Sequence, residues 1–98
     1  MSLYAVRYEY ASGSGRQRDA NRPEHVEYLG ALFARGVLVA SGRLEDEARP
    51  GALIIVRAGS AREVEHELDG DPFWSVGVIA ERDVREWAVA FGTTGLER

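Results

Sequence analysis

The order in which hydrophobic periodicity changes along the chain is the feature that most constrains its fold. Alternating apolar residues over 3–10 indicate a strand, and apolar residues at helical spacing after about Asn21 indicate a helix that ends at Gly36. Two short apolar runs, separated by a charged turn with proline and glycine, indicate two further strands. These two strands are predicted over 37–44 and 52–58. A second amphipathic helix, capped by Ser60, and an extended stretch over 75–92 follow them.

The predicted order is strand, helix, strand, strand, helix, strand. This is the order of a ferredoxin-like βαββαβ fold of the α+β class, in which two helices cover one face of an antiparallel sheet. We expect a single domain over 1–98, with 92–98 as a short tail. The segment "ASGSGRQRD" (11–19) is small, polar and rich in glycine, so we expect a flexible loop before the first helix.

The face of this sheet that the helices leave open is not expected to be polar. Tyr4, Val6, Tyr8 and Tyr10 make one side of the first strand apolar, and the last extended stretch carries apolar residues on both sides. An uncovered apolar face marks a contact with another chain. We therefore expect a homodimer whose two sheets pack against each other, giving a dimeric α+β barrel.

Composition argues against several classes of protein. The chain has neither cysteine nor lysine, and its two histidines lack metal-ligand spacing, so we expect no disulfide, no metal and no cofactor. A net charge of -4 with scattered arginines argues against nucleic acid as a partner. No apolar run approaches the roughly 20 residues of a membrane span, and the start has no signal pattern. We expect a cytoplasmic protein with no membrane partner.

His25 is the first candidate for proton-transfer chemistry. It lies in the first turn of the predicted helix, beside Val26 at the edge of the apolar stripe, from which it could reach a pocket. Imidazole titrates near neutral pH, which suits general acid–base catalysis. The alternative is a partly buried histidine that hydrogen-bonds to the backbone, and its position in the sequence alone favours that alternative.

Asp71, in the segment "DGDPFW", is the candidate partner of this histidine. A carboxylate that accepts a hydrogen bond from one imidazole nitrogen fixes the tautomer of the ring. An aspartate directly before Pro72 is equally suited to cap a short helical turn, with the proline at the first helical position. The spacing is compatible with both roles.

Four other residues are candidates for binding a substrate. Ser41 and Gly42 lie at a predicted strand end, where a hydroxyl or backbone amides could bind an anionic oxygen, although a bulge or turn explains them as well. Arg22 and Arg7 could attract an anionic substrate. His66, on the second helix, is expected to be solvated.

Five segments carry a resemblance to a known family: "RPEHVEYL", "GVLVASGRL", "GALIIV", "DGDPFWSVGV" and "VREWAVAFG". In this order they resemble the signature segments of the YCII-related (YciI-like) family, from about Leu3 to Gly92. The resemblance implies a ferredoxin-like protomer, a dimeric α+β barrel and a cleft whose histidine and aspartate fall on His25 and Asp71. Arg43 stands where the family commonly has proline, so we expect a cleft wall of different shape or charge.

The resemblance leads to a hypothesis about function. We expect a cofactor-independent enzyme in which His25 moves a proton and Asp71 orients it, in an isomerisation or a dehalogenation-type elimination. The substrate class is a small cyclic or aromatic acid or phenol. The alternative is a non-catalytic ligand-binding or accessory protein of the same fold, and a structural oligomerisation module is a third possibility. The sequence does not separate these hypotheses.

Overall fold

The structure, a computed structural model, describes residues 1–92 and follows the predicted order of elements with one short helix added. The predicted tail therefore lies outside the described residues, except for Gly92. The elements are β1 (Ser2–Tyr10), α1 (Gly15–Ala34), β2 (Leu38–Leu44), β3 (Gly51–Ala58), α2 (Ala61–Asp69), α3 (Pro72–Ser75) and β4 (Ile79–Trp87).

The four strands form one antiparallel sheet in the order β2-β3-β1-β4. The helices pack on one face of this sheet, and the core lies between the two layers. The predicted α+β, ferredoxin-like class is confirmed. The core consists of alternate side chains of the two central strands, together with residues from the helices, the segment before β4 and the first residue of each edge strand: Tyr4, Val6, Tyr8, Ala52, Ile54, Val56, Ala58, Leu29, Leu32, Val64, Leu68, Phe73, Val78, Leu38 and Ile79.

The tyrosine side of β1 faces the helices, which changes the basis for the expected dimer. Tyr4, Val6 and Tyr8 are buried in the core. Because side chains alternate along a strand, the open face carries the other residues of β1 and their cross-strand neighbours. Its apolar members are Leu3, Ala5, Leu53, Ile55 and Trp87. The open face is therefore partly apolar, through the opposite side of β1 from the one expected and through Trp87 of the last strand.

Helix α1 begins at Gly15, about two turns before the predicted start, so the expected loop over 11–19 is largely helical. Within the segment 11–19, only Gly13, with a φ of 72°, needs a conformation that other residues avoid. The next residues, Arg16 to Arg18, are good helix formers. Pro23 therefore lies inside the helix, where it leaves the Asp19 carbonyl without its usual donor, and His25 lies in the third turn.

The other boundaries follow local signals. Gly36, at a φ of 78°, ends α1 as predicted, and Ser60 caps α2 by accepting from the Glu63 amide at 3.2 Å. The extended stretch expected over 75–92 is shorter, because Gly77 turns the chain at a φ of 79° after α3. Within residues 1–92, no helix is both long and apolar enough to cross a membrane.

Candidate active site

A cavity of about 570 Å³ lies between α1 and the edge of the sheet formed by β2 and β3. Its volume is in the range typical of small-molecule sites. Of the sequence-predicted site residues, Arg22, His25, Ser41 and Gly42 line it, and Arg43 does so as well. The remaining lining residues are Tyr10, Arg18, Val26, Leu29, Gly30, Phe33, Leu38, Ala40, Ala52, Ile54 and Phe73.

His25 and Asp71 form a hydrogen-bonded pair at the inner wall of this cavity. The His25 Nδ1 atom lies 2.7 Å from Asp71 Oδ1. Asp71 is fully buried, while the His25 side chain remains 11% exposed and is one of the cavity-lining groups. An ionised carboxylate only accepts hydrogen bonds, so the Nδ1 atom carries the proton and donates it. In the neutral imidazole, Nε2 is then the acceptor.

The same carboxylate caps the short helix α3. Asp71 Oδ1 accepts from the Phe73 amide at 3.0 Å, and Oδ2 accepts from the Tyr8 hydroxyl at 3.0 Å. The two roles considered for Asp71, helix cap and histidine partner, are therefore filled at once. Three donors from three separate elements hold the buried carboxylate, and a charge without such partners would be costly at this depth.

Aromatic rings fix the plane of the imidazole. The Phe73 ring stacks on His25, with centroids 3.9 Å apart and planes 4° apart. Tyr10 meets the edge of Phe73 at 5.8 Å, and the Arg18 guanidinium lies 4.5 Å from the Tyr10 ring centroid. These contacts form a continuous wall that runs from the catalytic candidate to Arg18.

Two tyrosines at the site are held in the neutral form. Burial and the neighbouring charge of Asp71 raise the pKa of the Tyr8 hydroxyl. Burial also raises the pKa of Tyr10, although the nearby arginines Arg18, Arg22 and Arg43 act in the opposite direction. The Tyr8 hydroxyl therefore serves as a hydrogen-bond donor to the carboxylate.

Some predicted site residues lie elsewhere than expected. Ser41 and Gly42 are inside β2, paired with Ile54 and Leu53, and not at a strand end. Arg7 lies on the open face of the sheet, opposite the cavity, and its guanidinium is 3.6 Å from Glu9. His66 is exposed, as predicted. Arg7 is thus separated from the cavity by the sheet, because successive side chains of β1 point to opposite faces.

Tyr8 and Arg18 are functional candidates that the sequence did not single out. The alternating pattern of β1 predicts only that Tyr8 shares a face with the apolar residues of that strand. A tyrosine at a core position needs a partner for its hydroxyl, and that requirement is the signal that could have identified it. Arg18 fell in the expected loop. Within residues 1–92, no three histidine, aspartate or glutamate side chains come together as metal ligands do.

Comparison with known families and curated proteins gave one match. The YCII-related domain family matches residues 2–88. No curated protein sequence matched significantly. The family match covers every described element, and it confirms the resemblance seen in the signature segments.

Two solved structures illustrate the likeness. One is 5-chloro-2-hydroxyhydroquinone dehydrochlorinase (TftG) from Burkholderia phenoliruptrix AC1100 in complex with 2,5-dihydroxybenzoquinone. It is 26% identical, with a TM-score of 0.78, over 90% of this chain and 95% of that one. The other is protein Atu4242 from Agrobacterium tumefaciens, which is 17% identical, with a TM-score of 0.56, over 92% and 94% of the two chains. The second comparison concerns the fold alone.

Proposed function

The chain belongs to the YCII-related domain family, and on that premise we propose that it is a cofactor-independent enzyme that transfers protons on a small hydroxylated ring. The observation that carries the proposal is the 2.7 Å contact between His25 Nδ1 and a fully buried Asp71 at the wall of a cavity. The similar dehydrochlorinase, with its bound quinone, supports a ring substrate that eliminates a halide.

His25 has the role of the proton carrier in this proposal. With Nδ1 held by Asp71, the Nε2 atom takes the proton of a ring hydroxyl and returns it to the ring carbon that bears the halogen. This step is an isomerisation from an enol to a ketone. Nε2, which is again free to accept, then takes the proton of a second hydroxyl, so that this hydroxyl becomes the other carbonyl, a ring C=C bond forms and the carbon–halogen bond breaks to release the halide. The substrate loses one proton and one halide in total and becomes a quinone, so no oxidant is required.

Asp71 is the orienting residue. It keeps the Nδ1 proton in place. It also offsets the positive charge of the imidazole while both imidazole nitrogens carry a proton. The Tyr8 hydroxyl and the Phe73 amide keep the carboxylate from turning away. Phe73 sets the plane of the imidazole by stacking on it. Ser41, on the opposite wall, can donate a hydrogen bond to a ring oxygen.

Halide release from 5-chloro-2-hydroxyhydroquinone is the direct test. We expect chloride and the quinone to appear in equal amounts, and His25→Asn to lower kcat/KM by a factor of about 10² to 10⁴. His66→Asn removes the exposed histidine and is the matched control, which should retain full activity. Equal rates of halide release for the wild type and His25→Asn would contradict the mechanism.

A non-catalytic ligand-binding protein remains the second candidate. It is favoured by the cavity itself, which has a volume of about 570 Å³ and walls rich in apolar side chains. Under this alternative, His25→Asn leaves ligand affinity unchanged and no ring compound is turned over. A ligand that binds tightly without release of halide or rearrangement would support it.

We also propose that the chain forms a homodimer through the open face of the sheet. Leu53 and Trp87 on this face are 40% and 38% exposed, although both are large and apolar. Leu3 and Ile55 lie beside them and are already buried in the single chain. A second copy that packs sheet against sheet would cover Leu53 and Trp87.

A further inference from the structure

The walls of the cavity are polarised along α1. Arg18 and Arg22 lie on the same helix face as His25, at intervals of four and three residues. Arg18 precedes His25 by seven residues, or roughly 10 Å along the helix axis. The lining residues beyond His25 are Val26, Leu29, Gly30 and Phe33. One end of the cavity is therefore basic and the other apolar, with the imidazole between them.

Strand β2 continues the same polarity across the cavity. It begins with Leu38, close to the end of α1, and runs back to Arg43 near the beginning of the helix. The charges of Arg18, Arg22 and Arg43 all act on the hydroxyl of Tyr10, which lines the cavity as well. Three guanidinium groups from two elements thus converge on one end of the cavity.

This concentration of positive charge runs against the charge of the whole chain. The net charge is -4, yet the residues that line the cavity include three arginines and no aspartate or glutamate. Arg22 and Arg43 each have an acidic neighbour outside the cavity, Asp19 at 2.5 Å and Glu45 at 3.0 Å. Both pairs are exposed, and exposed pairs are held weakly and screened by salt. A ligand can therefore compete with these neighbours.

Arg18 differs from the other two arginines. Within residues 1–92 it has no acidic partner. Its Nε atom donates to the Ser14 hydroxyl at 3.1 Å, and its guanidinium lies on the Tyr10 ring. Ser14 is buried and occupies the N-cap position of α1, but its side chain accepts no capping bond from the helix. Ser14 thus holds Arg18, and the Nη atoms remain for a ligand.

We infer that the cavity selects a ring substrate that carries an anionic oxygen group, bound by Arg18 with Arg22 and Arg43, and an apolar part that lies toward Phe33 and Leu38. The group is a carboxylate, whose paired oxygens match the planar fork of arginine, or an ionised ring hydroxyl, whose single negative charge the guanidinium groups attract. The inference rests on the proposed function, because it names the substrate class of that same site. Arg18 is its specificity-determining residue.

Binding of three probes to the full chain tests this inference. Calorimetry compares 2,5-dihydroxybenzoate, 2,5-dihydroxybenzoquinone and the uncharged 1,4-dihydroxybenzene. We expect at least one of the two anions to bind tighter than the uncharged ring by a factor of about 10 or more. Tighter binding of the benzoate identifies a carboxylate group, and tighter binding of the quinone identifies an ionised hydroxyl.

Two variants locate the effect. Arg18→Gln should reduce the preference for the anion several-fold, although Arg22 and Arg43 remain, and leave binding of 1,4-dihydroxybenzene unchanged. Arg16→Gln removes the same charge two residues away, outside the cavity, and should keep the preference. Equal binding of all three probes, failure of both anions to bind, or an equal loss in the two variants would overturn the inference.

A third variant separates this inference from the proposed function. His25→Asn should keep the preference for the anion, because the basic end does not include the imidazole. If the anion preference is present in the wild type but no halide is released, the proposed mechanism fails and the binding inference stands. If halide is released but the wild type shows no preference for the anion, the binding inference fails and the proposed mechanism stands.

Discussion

Asp71 shows at the scale of one residue how a structural and a chemical role can coincide. It is the N-cap of α3, the partner of His25 and the acceptor from Tyr8. A cap fixes the position of a carboxylate relative to the backbone, so the same bond that begins α3 also aims the carboxylate at the imidazole. The two explanations that the sequence left open are not exclusive.

The Tyr8 hydroxyl is expected to stabilise the buried carboxylate. Tyr8→Phe leaves Asp71 Oδ2 without its donor, so we expect the free energy of unfolding to fall by about 1–3 kcal/mol. Urea denaturation measures this difference. In Tyr8→Phe/Asp71→Asn the loss should be smaller than the sum of the two single losses, since the residues interact directly.

Tyr4→Phe is the matched control. Tyr4 lies on the same strand and face, and its hydroxyl has no hydrogen-bond partner among residues 1–92. We expect this variant to change stability by less than about 0.5 kcal/mol. A loss equal to that of Tyr8→Phe would mean that the hydroxyl bond to Asp71 contributes little.

The raised tyrosine pKa values predict instability at alkaline pH. In the folded chain the pKa of Tyr8 lies above its unfolded value near 10, chiefly through burial, and that of Tyr10 is raised for the same reason. Above about pH 10 the unfolded chain therefore releases protons that the folded chain keeps. We expect full stability from these groups below pH 10 and a decline as the pH rises further.

The slope of stability against pH measures how much of this decline is due to Tyr8. Each such tyrosine contributes up to about 1.4 kcal/mol per pH unit above its unfolded pKa. Denaturation measured between about pH 9 and about pH 11 should show that the free energy of unfolding falls less steeply with pH in Tyr8→Phe than in the wild type. Identical slopes would contradict the expected shift.

At the scale of elements, the early start of α1 has the largest effect on the site. The helix carries Arg18, Arg22 and His25 on one face only because it begins at Gly15. A loop over 11–19 would have left Arg18 without a defined place. Pro23 favours a later helix start in the sequence, because proline is more typical of a first turn, but the structure places it inside α1. Contacts of Arg18 with Tyr10 and Ser14 tie the extra turns to the rest of the fold.

Close pairing of β1 and β3 predicts the effect of a single methyl group. A Cβ atom at Gly51 would overlap the backbone carbonyl of Tyr8. Backbone atoms cannot move aside as a flexible side chain can, so Gly51→Ala is expected to lower the free energy of unfolding by about 1–3 kcal/mol. Denaturant or thermal unfolding measures the loss.

Gly42→Ala provides the comparison on the neighbouring strand. A Cβ atom there meets nothing within 4 Å, so we expect a change of less than about 1 kcal/mol. If both alanines have the same small effect, the two strands can separate locally at Gly51 at little cost. In that case Tyr8 would be less firmly placed than its contacts indicate.

At the scale of the whole molecule, the proposed dimer can be tested by one substitution on the open face. Light scattering at micromolar concentration should give the mass of two chains for the wild type. Leu53→Arg should give the mass of one chain, because a charge would be buried in the interface. Val76→Arg, at a residue of similar exposure (38% against 40%) outside the sheet, should remain dimeric. A single-chain mass for the wild type would contradict the proposal.

The sequence alone determined the order of the four strands and two longer helices, and the resemblance of its segments to a known family singled out His25 and Asp71. Hydrophobic periodicity and the caps at Gly36 and Ser60 act over a few residues, so they can be read locally. The ferredoxin-like α+β class followed from that order. The start of α1 and the face of β1 that packs against the helices were less predictable, because tertiary contacts override local propensity.

Only the tertiary structure decided which side chains meet. His25 and Asp71 are 46 positions apart, and Tyr8 and Asp71 are 63 apart. No local pattern encodes such a distance, since it depends on how α1 packs on the sheet and where α3 begins. The sheet likewise separates Arg7 from the cavity, and the packing of α1 brings Arg18 into it. Placement in three dimensions, and not residue type, selected the arginines that can bind a ligand.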